Sequence, residues 1–250
     1  MLLHPRALFV IEQGWTEPVT VLALSLTLWA AARRPGWVPW AAGLLVASKQ
    51  HLLLLAPLAL LLVPRPLGVR GAAAFLARVV GTAAATWLPF VAWDPAGVLD
   101  SAVLFHVAQP FRTDALSYLP WLRQLGVTLP GWTGLAVAAP VAAVAAWRGA
   151  RGRASFALWT ALVLAAVFAL GKQAFANYWF LVGAAACWAV ATCDDEAASG
   201  PGAARGSEAP SGPGAARGSE APSGPGTACG NEAPSGPGAA CGNGAGGGHA

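Results

Sequence analysis

Charge is scarce in this chain of 250 residues: 10% are Asp, Glu, Lys or Arg, whereas 56% are hydrophobic and the mean hydropathy is +0.55. A soluble domain carries about 25% charged residues, so the composition argues against an ordinary water-soluble globule and for a membrane protein. Lysine is nearly absent, with only Lys49 and Lys172, each followed by a glutamine. Thirteen arginines against two lysines and a single Met1, in a background rich in Ala, Gly, Pro and Trp, match the codon bias of a high-GC bacterial genome. The cysteines are few and unpatterned. Cys187 and Cys193 share one apolar segment and Cys229 and Cys241 lie in a low-complexity region, without zinc-ligand spacing or a disulfide framework. There is no Gly-rich phosphate loop, no His-Glu-x-x-His and no nucleophile elbow. Nucleotide hydrolysis, zinc proteolysis and the common serine-hydrolase chemistry therefore have no sequence support. Met1 to Trp15 lacks a clean apolar core followed by a small-residue cleavage site, so no cleaved leader is expected.

The net charge of +4 hides two opposite halves. Residues 1–193 hold thirteen basic against five acidic side chains, and residues 194–250 hold two against six. The basic part is also the apolar part, so nucleic acid is not an expected partner. Apolar runs predict spans near residues 17–32, 71–93, 131–147, 154–171 and 174–193, most of them close to the roughly 20 residues that a bilayer-crossing helix needs. The run from Trp37 to Val63 is interrupted by Ser48-Lys49-Gln50-His51. It is either one tilted span with Lys49 at its middle or a hairpin of two short helices, 36–48 and 50–63.

The distribution of arginine decides between them, because Lys and Arg in short loops face the cytoplasm. A single crossing would put Arg65, Arg70, Arg148, Arg151 and Arg153 opposite Arg33 and Arg34. A hairpin gathers all seven inside and leaves Glu12, Glu17, Asp94, Asp100, Asp114 and both Lys-Gln pairs outside. Each arm has about 13 residues, roughly 20 Å at α-helical rise, too short for a 30 Å hydrocarbon core, so the turn is expected in a water-accessible vestibule shielded by other helices. The expected fold is an all-α, polytopic transmembrane helical bundle of seven helical elements, with the N-terminus outside and the C-terminal tail cytoplasmic. Pro57, Pro89 and Pro140 read as kinks within it.

Residues 94–130 form an outer loop with a short amphipathic helix around Val98 to Val107, and Trp87, Trp93, Trp121, Trp132, Trp147 and Trp179 fall near span ends. From Asp194 to Ala250 the chain turns Gly-, Pro-, Ala- and Ser-rich, with a repeat of period twelve from Gly200, and is expected to be disordered.

Polar islands mark the candidate site. An ammonium at bilayer depth costs roughly 2.5 to 3.5 kcal/mol, so an intramembrane lysine calls for a partner. Lys49 either snorkels from a loop or supplies a point charge for a phosphate, with Gln50 and His51 adding neutral donors. Lys172, Gln173, Asn177 and Tyr178 repeat the combination at the outer end of another span. Glu17, ahead of Pro18, either favours its own helix dipole or, like Glu12, faces the vestibule to pair with Lys49 or bind a sugar hydroxyl. His106, Gln109, Arg112 and Asp114 are either solvated loop residues or head-group contacts.

The run Glu12-Gln13-Gly14-Trp15-Thr16-Glu17-Pro18, the short helix ending Ala47-Ser48-Lys49-Gln50, and Lys172-Gln173-Ala174-Phe175-x-Asn177-Tyr178 together resemble the C-type (GT-C) membrane glycosyltransferases of the protein O-mannosyltransferase-like and mannosyltransferase-like kind, over about residues 5 to 192. The resemblance implies a hexosyltransferase that takes a sugar from a polyprenyl-phosphate donor at the outer membrane face and gives it to a lipid, glycan or protein acceptor. It also implies an outer-loop acid, acting as base or metal ligand. No residue of the chain matches that acid, so no catalytic residue is assigned, a divalent metal is expected only in a completed enzyme, and the chain reads as the C-terminal portion of a longer one. A transporter or flippase for an anionic lipid, or a non-catalytic membrane subunit, are the alternatives.

Overall fold

A computed structural model describes residues 15–64 and 68–198, with side chains to Cys193. These belong to the first of two compact units, Met1–Ser207; Glu12, Arg65, Cys229, Cys241 and the twelve-residue repeats lie outside the described residues. The described chain is helical, without a strand. In order it forms α1 (Glu17–Arg33), α2 (Val38–Ala47), two 3-10 segments (Gln50–Leu55 and Pro57–Leu62) and α3 (Val69–Trp93). A composite helix α4 (Pro95–Ala108) follows, then α5 (Tyr118–Gln124), α6 (Thr133–Arg148), α7 (Arg153–Ala169) and α8 (Ala176–Ala198). Two of these helices, over Val69–Trp93 and Ala176–Cys193, are long and apolar enough to cross a membrane.

Local chemistry sets the boundaries. Pro18 occupies the first turn of α1, where its missing N–H costs nothing, and Pro35 follows its last residues. α2 ends where Ser48 Oγ turns back to donate to the Leu45 carbonyl at 2.7 Å, after which Lys49 is fully extended (φ −157°, ψ 149°). Asp94 caps α4 by accepting the Gly97 N–H at 2.9 Å. That helix carries a π-type stretch, Asp100–Leu104, in its middle and runs through Ala108, so the segment expected as an outer loop holds a longer helix than the amphipathic pattern predicts.

The second hairpin arm is 3-10 rather than α-helical, a departure from expectation with a visible cause. Leu52, Leu55, Leu58 and Leu61 recur every three residues and are each at most 2% exposed, the single stripe that three residues per turn produces. Pro57 has no N–H to donate, so it starts the second 3-10 segment instead of kinking an α-helix. At about 2.0 Å per residue, thirteen residues reach roughly 26 Å, appreciably farther than the same arm in α form. Pro89 and Pro140 do lie inside helices α3 and α6. α8 continues through Ala198, so the first five residues after Cys193 are helical where disorder was expected.

Two packed clusters hold the helices together. The larger joins Leu24 and Leu28 of α1, the leucine stripe, Ala138, Ala142 and Ala145 of α6, Phe156 and Leu164 of α7 and Leu181 of α8. The smaller joins Ala30, Val38, Ala42, Val46, Ala59, Phe75 and Val79. Close approach depends on glycine: a Cβ at Gly43 of α2 would lie 2.5 Å from Thr82 Cβ of α3, and one at Gly134 of α6 would lie 2.6 Å from the Val167 carbonyl of α7. Trp87 of α3 donates its indole N–H to the Ala47 carbonyl at 3.0 Å, and Trp188 of α8 donates to Ser25 Oγ of α1 at 3.0 Å.

These contacts order the turns into two ends. Glu17, residues 48–51, residues 94–131 and residues 170–175 gather at one end; at the other, Gly152 N–H donates to Leu61 O at 2.9 Å, bringing the turn after α6 beside the end of the 3-10 arm. The outward faces of the helices are apolar, with Leu22, Leu26, Trp29, Leu88, Phe90, Val144, Leu158 and Leu162 all exposed and Trp93 91% exposed.

Because neither glycine contact can relax without moving backbone, Gly43→Val and Gly134→Val are each expected to lower unfolding stability by about 1–3 kcal/mol. Gly81→Ala, where a Cβ meets nothing within 4 Å, should be neutral or slightly stabilising through helix propensity. Thermal unfolding of the purified variants in one detergent checks the contrast.

Candidate functional site

Three chain breaks meet at the first end. The carboxylate of Glu17, in the opening turn of α1, is completely buried, and its Oε1 accepts both the Lys49 ammonium and the Asn177 Nδ2 amide, the latter at 2.8 Å. Lys49 reaches it because the extended backbone after α2 swings the side chain inward, and Asn177 because it lies in the first turn of α8. Glu17 pairs with Lys49, one of the roles its sequence position offers, and together with Asn177 it forms the support behind Lys49, outside the cavity wall. An ammonium and a carboxylate buried this deeply are stable only together, since each alone would be a desolvated charge. Glu17 Oε2 and Asn177 Oδ1 are buried without a hydrogen-bond partner among the described residues.

In front of this support opens a cavity of about 490 Å³. Its wall includes Thr16, Ser48, Lys49, Gln50 and His51 together with Phe168, Lys172, Gln173 and Tyr178, and Ala102 and His106 of α4. Tyr178 lies beneath Lys49, whose ammonium sits 5.5 Å from the ring centroid. His51 stands edge-on to Phe168 (5.0 Å) and to Tyr178 (5.9 Å), and its Nε2 is buried without a hydrogen-bond partner among the described residues. Phe168, an apolar residue inside a span-like run, carried no sequence signal for this role.

The second Lys-Gln pair does different work from the first. Lys172 donates to the backbone carbonyls of Val107 (2.8 Å) and Gln109 (2.7 Å), and Gln173 Nε2 donates to the Pro110 carbonyl at 2.9 Å. Together with the Leu116 N–H to Ala174 O bond at 2.6 Å they clamp the segment between α4 and α5 across the cavity. No carboxylate pairs with Lys172 among the described residues, and partial burial lowers its pKa from the ordinary lysine value. Of the other outer-segment candidates, His106 faces the cavity and Gln109 takes part in the clamp, whereas Arg112 and Asp114 form an exposed bidentate pair at 2.7 and 3.0 Å, with Arg112 also over Phe175.

The two lysines thus share a wall but differ in balance: Lys49 is neutralised from behind by Glu17, while Lys172 carries its charge on carbonyl dipoles alone. Such a pocket suits a ligand with an anionic head and neutral hydroxyls. No three His, Cys, Asp or Glu side chains converge among the described residues, which therefore offer no ready-made set of metal ligands. Comparison with family models, with curated proteins and with solved structures finds no match.

If Glu17 and Lys49 depend on each other, Lys49→Met alone strands a buried carboxylate and should cost about 3–5 kcal/mol. Combining it with Glu17→Gln, which removes the stranded charge, should recover most of that loss. Chemical unfolding followed by tryptophan fluorescence measures both; additive losses in the double variant would refute the coupling.

Proposed function

We infer that the protein crosses the membrane several times and that its cavity receives the phosphate head of a polyprenyl-phosphate-linked sugar, for transfer to an acceptor at the outer face. One observation carries this reading: both lysines of the chain line a single cavity of about 490 Å³, and the carboxylate paired with Lys49, that of Glu17, lies behind it and outside the wall. Glu17 balances Lys49, so the net positive charge of the cavity comes from Lys172, beside uncharged Gln50, Gln173 and Tyr178 as sugar or phosphate contacts. The resemblance of the Lys-Gln islands to C-type glycosyltransferases supports the same chemistry.

The membrane part of the proposal rests on surface and charge. Apolar faces as extensive as those of α1, α3, α6 and α7 are a liability in water and an ordinary solvent match in lipid. Arg33, Arg34, Arg70, Arg148, Arg151 and Arg153, the larger group, lie in turns or helix ends opposite the cavity, whereas Glu17, Asp94, Asp100, Asp114, Arg112, Arg123 and both lysines are at the cavity end. Positive loops face the cytoplasm, so the cavity opens outside, the N-terminus is outside and the C-terminal tail inside.

In the transfer, the bond from the sugar's anomeric carbon to the phosphate oxygen breaks and its electron pair stays on the departing phosphate. Fixed cations in a low-dielectric site stabilise that growing charge without reorganising, and Lys49 and Lys172 fill this role. An acceptor hydroxyl oxygen bonds to the anomeric carbon and gives up its proton. The departing phosphate, which gains an electron pair as its bond to the sugar breaks, accepts that proton.

In nanodiscs the protein should bind a long-chain polyisoprenyl phosphate saturably, and the uncharged polyisoprenol much more weakly. A charge-assisted contact is worth about 1.5–3 kcal/mol, so Lys49→Gln and Lys172→Gln should each weaken phosphate binding about ten- to a hundredfold. Unchanged affinity in both variants, with folding verified, would move the phosphate site elsewhere. Orientation is tested separately: in a background without native cysteines, Gln50→Cys and Gln173→Cys should both react with an impermeant thiol reagent in intact cells, and labelling of only one contradicts the shared outer face.

A further inference from the structure

A second concave space forms where the segment from Ala115 to Trp121 meets the start of α8. It has a volume of about 510 Å³ and is lined by Ala115, Leu116, Ser117, Tyr118, Trp121 and Trp179. The two spaces are neighbours in the chain: of consecutive residues on α8, Tyr178 lines the lysine cavity and Trp179 the second groove. Trp179 is held in place by donating its indole N–H to the Leu116 carbonyl at 3.0 Å, while Leu116 in turn donates its N–H to the Ala174 carbonyl. With its one donor used, Trp179 offers the groove its ring.

Two further aromatic side chains complete the groove, Tyr118 at 60% and Trp121 at 53% exposure. Ser117 brings the one feature that apolar packing does not account for: its Oγ is buried and hydrogen-bonds nothing among the described residues. A buried hydroxyl without a partner is costly, so its satisfaction by a ligand is a real gain. The chemistry of the wall narrows that ligand. A hydrocarbon tail would cover the rings and leave Ser117 unsatisfied. A phosphate or carboxylate would need a cation, and none lines the groove. A saccharide ring meets both demands, laying a face of C–H bonds on the aromatic rings while presenting hydroxyls at its edge.

We propose that Tyr118, Trp121, Trp179 and Ser117 form a saccharide-binding subsite that holds the glycan portion of the acceptor beside the lysine cavity. The proposal rests on the reading of the chain as a sugar transferase, and it narrows the acceptor to a glycan or glycoconjugate.

The test uses the whole chain in nanodiscs, so that no sugar-headed detergent competes, with maltose, cellobiose and mannobiose as probes. Saturation-transfer NMR should show at least one disaccharide receiving magnetisation chiefly on the C–H protons of one ring face. Trp121→Ala and Ser117→Ala should each weaken that binding about two- to tenfold, with the folded state verified by thermal unfolding. Binding that both variants leave unchanged, or no binding by any of the three sugars, overturns the subsite. Quenching of Trp121 by brominated lipid with no disaccharide effect would show that the aromatics serve the membrane interface instead, and also overturns it. If the unaltered chain binds polyisoprenyl phosphate but none of the three disaccharides, the subsite alone is rejected; if it binds a disaccharide but not the phosphate, the lysine reading alone is rejected.

Discussion

The buried contact among Glu17, Lys49 and Asn177 organises the cavity end of the molecule. It joins the first turn of α1, the extended break after α2 and the first turn of α8, three places where helical hydrogen bonding is incomplete and the chain would otherwise be free to shift. A fully buried carboxylate cannot stand without its cation, and the cation cannot leave without exposing the carboxylate. The pair therefore specifies position more than it adds stability. Its position is what sets Tyr178 under the Lys49 ammonium and His51 against Phe168.

The 3-10 arm is the second constraint, and it follows from the first. Once Lys49 is pulled back toward Glu17, the chain must return along the core within a short run. The α-helical form of that run would be compact and would spread its leucines around the axis. The 3-10 form is longer and aligns Leu52, Leu55, Leu58 and Leu61 into one buried stripe, so burial of apolar surface compensates for the poorer hydrogen-bond geometry. The last leucine of the stripe delivers its carbonyl to Gly152, which ties the arm to the turn before α7.

The twin Lys-Gln pairs look equivalent in sequence and are not equivalent in the fold. Lys49 answers a buried acid, while Lys172 and Gln173 grip the backbone carbonyls of Val107, Gln109 and Pro110 and hold that segment over the cavity.

Much of this was legible in the chain itself. Apolar runs bounded by arginines, prolines and glycines located the main helices, and the polar interruption at Ser48-Lys49-Gln50-His51 marked a break, because local composition and periodicity determine where helices start and stop. Glu17 as one possible partner of Lys49 was likewise a matter of charge inventory, with few acids available. Other features depended on contacts distant in sequence. The 3-10 form of the second arm was decided by what its leucines pack against, the placement of Asn177 behind Lys49 by the meeting of α1 and α8, and the work of Lys172 by backbone carbonyls, which leave no trace in a residue pattern. The aromatic groove belongs to the same class: Trp121 and Trp179 read as interfacial anchors from sequence, and only the Leu116–Ala174 contact brought them around one hollow with Ser117. Sequence determined which segments are helical and where charge is scarce, because those are local, one-dimensional properties. Tertiary structure alone decided which polar atoms satisfy one another, since hydrogen-bond partnership is a matter of distance in space.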